Sequence, residues 1–383
     1  MRRLMTVIAL LSTAAITTAC STDPAIDDSE GPDESETATP GTDGSTDETE
    51  TETGDPGPSD LPDPPDLPML LACDTDPPPG ATLAPALPTY AGPGSCPTLE
   101  TGAGTLNVMQ TDHGERTFFL VTPEDYQPGE QLPVMFMYHW LGGGAVSFYD
   151  RAEAQHAADY YRFIAIIPEG RTSGDGVPFR WPFTINDSQD KLDEEFAFHD
   201  DLLACVHEQF GVDKECVSTM GVSAGAMFSA MLASRHGEHL SSFISLSGGT
   251  GGNFVKPWTP APNRMPALIL WGGPQDICLG VDFHENSQEL EAALEADNHF
   301  IVECVHDCTH ATPPFSHLDP ALPTYAPTWE FFLDHPFWMA DGESPYRDYV
   351  ELTGALPPAW PDWCAVGAGN AVIRDGVCGG SEC

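Results

Sequence analysis

The amino-acid sequence predicts an α/β fold with a mostly parallel central sheet flanked by helices. Residues 132–139 and 163–168 form near-continuous apolar runs, which are typical of strands buried on both faces. Residues 194–210 carry apolar side chains at helical spacing. Because such strands and helices alternate along the chain, they predict βαβ units, which build a parallel sheet.

The predicted elements begin at residue 117. The predicted strands lie at 117–122, 132–139, 163–168, 216–221, 242–246, 267–271 and 300–305. The predicted helices lie at 148–161, 194–210, 224–235, 285–298 and 325–334. The loop 170–191 contains Trp181 and Phe183, and we expect it to line a pocket.

Composition excludes several classes of protein. The 383 residues include 59 Asp and Glu against 14 Lys and Arg, a formal net charge of −45. Nucleic-acid binding needs basic patches, so it is not expected. The only long apolar run is residues 1–20, which excludes a multi-pass membrane protein. Hydrophobic residues make up 41% of the chain, enough to form a core and to exclude full disorder.

The N-terminus predicts a lipoprotein signal peptide at 1–20. Arg2 and Arg3 precede an apolar segment that is too short to span a membrane. The end of this segment resembles the lipobox of bacterial lipoproteins, in which the cysteine, here Cys20, is lipidated after cleavage. Thr17 stands where that pattern prefers Leu, and a plain signal peptide is the alternative. Ser21, directly after this cysteine, resembles the residue found there in lipoproteins that are sorted to the outer membrane.

Residues 21–70 predict a disordered acidic linker, because they contain 16 Asp or Glu and no Lys or Arg. Behind a lipid anchor, the linker would hold the remaining chain off a membrane. We therefore expect a lipoprotein of the outer membrane or cell surface. The remainder divides into a main domain at 71–336 and a Trp- and Cys-rich extension at 337–383, whose Trp360 and Trp363 either stack on sugars or pack a cap.

Ten cysteines besides Cys20 predict disulfides, since an even number behind an export signal indicates an oxidising compartment. The sequence does not fix the connectivity. Cys205–Cys216 and Cys364–Cys378 are plausible local pairs.

Residues 221–225 (GVSAG) carry the strongest chemical signal. A G-x-S-x-G run that follows a predicted strand and opens a predicted helix is typical of a nucleophile elbow. The alternative is an ordinary glycine-rich turn. Small residues on both sides of Ser223 permit the sharp turn that exposes its hydroxyl. We therefore predict that Ser223 is a catalytic nucleophile.

A catalytic serine needs a base and an acid that orients the base. Asp276 follows the predicted strand 267–271 and is the predicted acid; a turn or capping aspartate is the alternative. His306, His310 and His317 follow the next strand, and we select His310 because it lies in the loop.

The oxyanion hole needs backbone N–H donors. Ala224, directly after the nucleophile, supplies one. Trp140 or Leu141, in the glycine-rich loop after the strand 132–139, supplies the other.

Residues 115–336 resemble the secreted α/β-hydrolase esterases that include feruloyl esterases, acetylxylan esterases and polyhydroxybutyrate depolymerases. The motifs that carry this resemblance are GVSAGAM at 221–227, IAIIPEG at 164–170, GGPQD at 272–276, THATP at 309–313 and WEFFLDHP at 329–336. The resemblance implies the α/β-hydrolase fold and the triad Ser223, Asp276 and His310. It also implies an exported esterase without a cofactor, acting on ester substrates such as plant polysaccharide or polyester.

Other interpretations remain open. Cys304, His306, Cys308 and His310 alternate, as zinc ligands on one face of a strand would. A disulfide Cys278–Cys308 or Cys278–Cys304 would instead join the acid loop to the histidine loop. A serine peptidase of the same fold and a non-catalytic surface binding protein are the functional alternatives.

Overall fold

The computed structural model of the protein describes residues 72–102, 105–172, 176–315, 321–339 and 342–378. The predicted signal peptide with Cys20, the acidic linker and His317 lie outside the described residues. No helix within the described ranges is both long and apolar enough to cross a membrane.

Eleven strands are described, nine of which form one sheet in the order β1-β2-β4-β3-β5-β6-β7-β10-β11. Their bounds are β1 Leu106–Thr111, β2 Gly114–Val121, β3 Leu132–Tyr138, β4 Ile164–Pro168, β5 Val212–Val222, β6 Ser242–Leu246, β7 Ala267–Trp271, β8 Ile277–Cys278, β9 Val281–Asp282, β10 Ile301–Val305 and β11 Cys364–Val366. The six strands from β4 to β10 in this order are parallel, and β1, β2 and β11 join antiparallel at the two edges. Strands β8 and β9 form a separate hairpin. The mostly parallel sheet predicted from the sequence is therefore confirmed.

Helices cover both faces of the sheet. Their bounds are α1 Ala145–Arg151, α2 Ala154–Tyr161, α3 Gln189–Gln209, α4 Ala224–His236, α5 Phe283–Ala296, α6 Ala326–Leu333 and α7 Pro345–Thr353. Side chains of α3, α4 and α5 pack in one core, and those of α1, α2 and α6 pack in the other. The position of strand β4 between the two cores explains why its residues are continuously apolar. Ile164 and Ile166 point into the first core, whereas Ala165 and Ile167 point into the second.

Three local differences separate the structure from the sequence prediction. The predicted helix 148–161 is two helices, because Glu153 adopts a left-handed φ of 52° and redirects the chain between them. Helix α3 begins earlier than predicted, where the Ser188 hydroxyl accepts a hydrogen bond from the Lys191 N–H. Strand β1 was not predicted; it pairs with β2 along its full length.

The segment after residue 336 joins the same sheet. It contributes α7 and then β11, whose residues Cys364, Ala365 and Val366 pair with β10. Trp360 and Trp363 are nearly buried in the second core, which favours the packing role over sugar stacking. The domain boundary at 336 itself stays a prediction.

Disulfides are confirmed, but the expected pairs are wrong. Within the described residues the bonds are Cys73–Cys216, Cys96–Cys205, Cys304–Cys364 and Cys308–Cys378, and Cys278 is also disulfide-bonded. Cys205 and Cys216 lie in different cores on opposite faces of the sheet, so they cannot join each other. Cys364 lies directly opposite Cys304 in the strand register and bonds there rather than to Cys378. Because Cys304 and Cys308 bond elsewhere, neither pairs with Cys278.

Two buried carboxyl groups meet between α5 and β10. Glu291 and Glu303 are each 3% exposed, and a hydrogen bond joins their side chains. Glu303 also accepts a hydrogen bond of 2.9 Å from the Ala371 N–H. Burial, reinforced by the charge of Glu303, raises the pKa of Glu291 from 4.5 to about 8. Glu291 therefore stays protonated at neutral pH.

We expect Glu291→Gln to flatten the pH dependence of stability. Folded Glu291 keeps its proton while the unfolded chain loses it, so the wild-type free energy of unfolding falls as pH rises from 4.5 to about 8. The variant lacks this term, and its Tm should exceed the wild-type Tm by several degrees at pH 8, since 1 kcal/mol corresponds to about 2–4 °C. Calorimetry from pH 5 to 8 measures the difference. The exposed Glu351→Gln, in α7, is the control, and a slope equal to that of wild type in Glu291→Gln would contradict the assignment.

Candidate active site

Ser223 lies at the sharp turn between β5 and α4. Its backbone has φ 56° and ψ −118°, an unusual conformation for a residue with a side chain. The turn is possible because its flanking positions are glycines. A Cβ atom on Gly221 would lie 2.3 Å from the carbonyl carbon of Gly225, and a Cβ atom on Gly225 would lie 1.9 Å from the carbonyl oxygen of Tyr138. This is the strand–turn–helix geometry predicted for a nucleophile elbow.

The structure brings together Ser223, Asp276 and His310. The Nε2 atom of His310 lies 2.9 Å from the Ser223 Oγ, and its Nδ1 atom lies 2.7 Å from Asp276 Oδ1. An ionised carboxylate only accepts hydrogen bonds, so Nδ1 carries the proton and Nε2 accepts from the serine hydroxyl. Asp276 is fully buried, and its Oδ2 accepts 2.7 Å from the Gly272 N–H. These contacts form a continuous chain of hydrogen bonds from Asp276 to Ser223.

The loops that carry Asp276 and His310 touch each other. A Cβ atom on Gly272 would lie 1.8 Å from the carbonyl oxygen of Thr309, so only glycine fits at that position. The Phe283 ring, at the start of α5, stacks on the His310 imidazole with a centroid separation of 4.1 Å. His310 is therefore held by an acid on one edge and an aromatic ring on its face.

His306 does not contact Ser223. It is fully buried, and its Nδ1 accepts a hydrogen bond of 3.1 Å from the Cys308 N–H. Burial lowers the pKa of His306 to about 4, so the ring is neutral at physiological pH. The structure thus places His310, of the two described candidates, beside Ser223.

The loop after β3 is held by His139. The His139 ring contacts the Trp140 carbonyl through Nδ1 at 2.8 Å and accepts from the Gly170 N–H through Nε2 at 2.9 Å. An N–H donor at Nε2 fixes the neutral Nδ1–H tautomer, and burial lowers the pKa of the ring, which favours this form. The His139 carbonyl accepts 2.8 Å from the Trp181 indole. The peptides around Trp140 are therefore fixed in orientation.

A cavity of about 630 Å³ opens above Ser223. All three predicted oxyanion residues, Trp140, Leu141 and Ala224, line it together with Ser223 and His310. The remaining walls are mainly apolar and aromatic and include Phe148, Phe179, Phe183, Met220, Phe254 and Trp329. Of the predicted pocket loop 170–191, Phe183 lines the cavity, while Trp181 is buried in the core beneath it.

Glu169 was not predicted from the sequence. It stabilises the loop between β3 and α1. Its carboxylate accepts 2.7 Å from the Ala145 N–H at the start of α1 and pairs with Arg180 at 2.8 Å. Negative charge at a helix N-terminus is favourable. The signal was present, because Glu169 follows directly after a predicted strand at the sheet edge where Ser223 lies.

The zinc interpretation is wrong. Cys304 and Cys308 are oxidised to disulfides, so neither offers a thiolate ligand. His310 directs both ring nitrogens to Asp276 and Ser223. The four residues also leave the strand pattern, because β10 ends at Val305.

The strand–turn–helix site on a mostly parallel sheet defines the α/β-hydrolase class. Comparisons with known proteins agree. Residues 110–299 match the Esterase family. Probable feruloyl esterase C of Aspergillus terreus is 24% identical over 272 residues, covering 66% of this chain and 94% of that protein. The chain is therefore similar to this esterase family, and it is a carboxylic ester hydrolase.

Solved structures show the same fold. The native structure of pOPH superposes with a TM-score of 0.54 at 17% identity, covering 73% of this chain and 98% of that chain. The native structure of sOPH gives a TM-score of 0.52 at 18% identity, covering 71% of this chain and 97% of that chain.

We expect Gly225→Ala to disrupt the elbow. The added methyl group would meet the Tyr138 carbonyl, and moving α4 away to relieve the clash would displace Ser223. Overpacking of this kind costs about 1–3 kcal/mol. Esterase rate per folded molecule should fall at least tenfold, as a nitrophenyl acetate assay with a parallel melting curve would measure.

The control is Gly129→Ala, where φ is 103° but a Cβ atom would meet nothing within 4 Å. This variant should be less stable than wild type but should keep the wild-type rate per folded molecule. A wild-type rate in Gly225→Ala would show that the elbow does not depend on this contact.

Proposed function

We propose that this protein is an exported serine esterase that hydrolyses carboxylic esters through a Ser223–His310–Asp276 triad and an acyl-enzyme. The observation that carries this proposal is the chain of hydrogen bonds from Asp276 through His310 to Ser223 at the floor of a large apolar cavity. The elbow geometry, in which Ser223 takes a positive φ at the turn from β5 to α4, supports the same assignment.

In this mechanism, His310 Nε2 takes the proton of Ser223 as Oγ attacks the ester carbonyl carbon. Asp276 holds the Nδ1–H tautomer and stabilises the imidazolium that forms. The tetrahedral oxyanion accepts hydrogen bonds from the Ala224 N–H and from the N–H of Trp140 or Leu141. His310 then protonates the departing alkoxide, and the acyl group remains on Ser223. Water, activated by His310, hydrolyses this acyl-enzyme and restores the site.

The substrate class we propose is a neutral ester of the feruloyl, acetyl or polyhydroxyalkanoate type, presented on a plant polysaccharide or a polyester. The curated relative is named a feruloyl esterase, and the cavity has the size of small-molecule sites, about 300–1,000 Å³. Phe179, Phe183 and Phe254 pack on one another in its wall, with ring centroids 5.2–6.1 Å apart. Such a wall favours flat or apolar acyl groups.

We also propose that the chain acts at the outer membrane or cell surface, tethered by a lipid on Cys20 and by the acidic linker 21–70. The support is the signal-like N-terminus and the set of disulfides, which form in oxidising compartments. Metabolic labelling with a fatty-acid probe and a Cys20→Ser variant test the anchor.

Ser223→Ala should reduce esterase activity by about 10³-fold or more, because the nucleophile is lost while the oxyanion donors remain. Hydrolysis of p-nitrophenyl acetate and labelling by a fluorophosphonate probe measure the effect. Ser229→Ala, a buried serine of α4, is the matched control and should keep both activities. Full activity in Ser223→Ala would reject the triad. Hydrolysis of aminoacyl-nitroanilides but not esters would identify a peptidase, and no labelling of wild type would identify a non-catalytic binding protein.

Neutral esters should be preferred to anionic esters of equal size. Residues 71–383 carry 43 acidic and 12 basic side chains, so their field repels anions, and salt should weaken this discrimination. The measurement compares kcat/KM for p-nitrophenyl butyrate and for the p-nitrophenyl monoester of succinic acid at low and high salt. Among the described residues lining the cavity, Arg151 is the one with a formal charge at neutral pH. A preference for the anionic ester at low salt would contradict the prediction and would indicate that Arg151 binds the anionic group.

A further inference from the structure

The last described segment of the chain, residues 364–378, runs along the strand and loop that lead to His310. We call it the C-terminal clasp. We propose that the C-terminal clasp positions His310 for catalysis, so that residues outside the triad's own loops set the turnover number. This inference rests on the proposed function of Ser223 and His310.

The clasp begins at the edge of the sheet. Its first residues form β11, which pairs with β10, and the disulfide Cys304–Cys364 joins the two strands at a directly opposed position. Gly367 then donates its N–H to the Ile301 carbonyl at 2.8 Å. Strand β10 is therefore held along its outer edge up to the residue where it ends.

Beyond the end of β10, the clasp replaces the missing strand neighbour through Arg374. The Arg374 N–H donates to the Val305 carbonyl at 2.9 Å, and the Arg374 carbonyl accepts from the Asp307 N–H at 3.1 Å. On the opposite side, the His306 N–H donates to the Trp271 carbonyl at 3.1 Å. Residues 305–307 thus lie between the strand that precedes Asp276 and the clasp.

The clasp ends in a covalent bond to the histidine loop. Cys378 is joined to Cys308, two residues before His310. The Arg374 guanidinium lies 3.8 Å from the Asp307 carboxylate and donates to the Val377 carbonyl at 3.0 Å. This end of the clasp therefore fixes the backbone of Cys308 from the solvent side.

Little chain remains to absorb a displacement between Cys308 and the catalytic imidazole. The intervening residue, Thr309, has a left-handed φ of 60°, and its carbonyl oxygen packs against Gly272. A shift of the Cys308 backbone would therefore be transmitted to the ring of His310. The two hydrogen bonds of that ring, 2.7 and 2.9 Å, leave little tolerance, because a displacement of about 1 Å can lower a rate about 100-fold.

The test is the double variant Cys308→Ser/Cys378→Ser, assayed at a temperature well below its own Tm. We expect kcat for a nitrophenyl ester to fall about 10- to 100-fold with KM changed less than about twofold, since the cavity walls are unaltered. The second-order rate of Ser223 phosphonylation by a fluorophosphonate should fall by the same factor, because it depends on the same imidazole. A wild-type kcat and labelling rate would overturn the proposal.

The matched control is Cys96→Ser/Cys205→Ser, which removes a disulfide that closes a longer loop and joins the N-terminal segment to α3, away from the histidine loop. We expect it to lower Tm at least as much while keeping kcat. Equal losses of kcat in both double variants would show a general stability effect and would also overturn the proposal.

Arg374→Pro keeps every cysteine and removes both the backbone donor to Val305 and the guanidinium contacts with Asp307 and Val377, so it tests the clasp if the cysteine variant does not fold. We expect a several-fold loss of kcat with unchanged KM, and no loss would reject the role of Arg374. Failure of the proposed function is distinguishable, because it would appear as activity in Ser223→Ala, whatever the clasp variants do.

Discussion

The close approach of Gly225 to the Tyr138 carbonyl is the contact on which the site depends. It brings the first turn of α4 against the end of β3, nearer than any residue with a side chain would permit. The same contact sets the entry angle of the helix, so Ser223 must take its positive φ to connect strand and helix. The loop after β3 and the first turn of α4 consequently face one cavity, with Trp140, Leu141 and Ala224 around the serine.

The sequence predicted the elements that depend on local pattern. Continuous apolar runs identify β3, β4 and β7 because both faces of these strands are buried. The elbow is identifiable because Gly221 and Gly225 flank Ser223 within one short G-x-S-x-G pattern, although the carbonyl that Gly225 approaches belongs to the distant Tyr138. Disulfide pairing is different, because it depends on which face of the sheet each cysteine occupies. Cys205 and Cys216 are eleven positions apart in the chain, yet they lie in separate cores.

Strand β11 and the contacts of Glu169 and Phe283 were not predicted, for related reasons. Strand β11 has three residues and shows no periodicity, so only its pairing with β10 defines it. Glu169 and Phe283 act through contacts with Ala145 and His310, which are distant in the chain. A single sequence carries no signal for such pairs beyond their position after a strand or before a helix.

None of the described acidic side chains of the domain lines the cavity that contains Ser223. Several of the domain's arginines pair with carboxylates that are buried or partly buried. Arg116 bonds Glu195 through two nitrogens at 2.7 and 3.0 Å, and Arg180 bonds Glu169 beside the loop after β3. Glu291 avoids the cost of a buried charge by keeping its proton. The surface therefore retains most of the unpaired acids, where water and salt screen them, and the cavity stays largely uncharged.

Ser223 and His310 are positioned by different physical means. Backbone sterics within 221–225 and the contact with β3 place Ser223. The loop of His310 is held mainly by residues distant in the chain, because β10 ends five residues earlier and the Thr309 carbonyl packs against Gly272. Its geometry relies on Asp276, on Phe283 and on two disulfides to the C-terminal segment. Such bonds form in oxidising compartments, so the disulfides beside His310 are consistent with the proposed export of the chain, independently of the N-terminal segment.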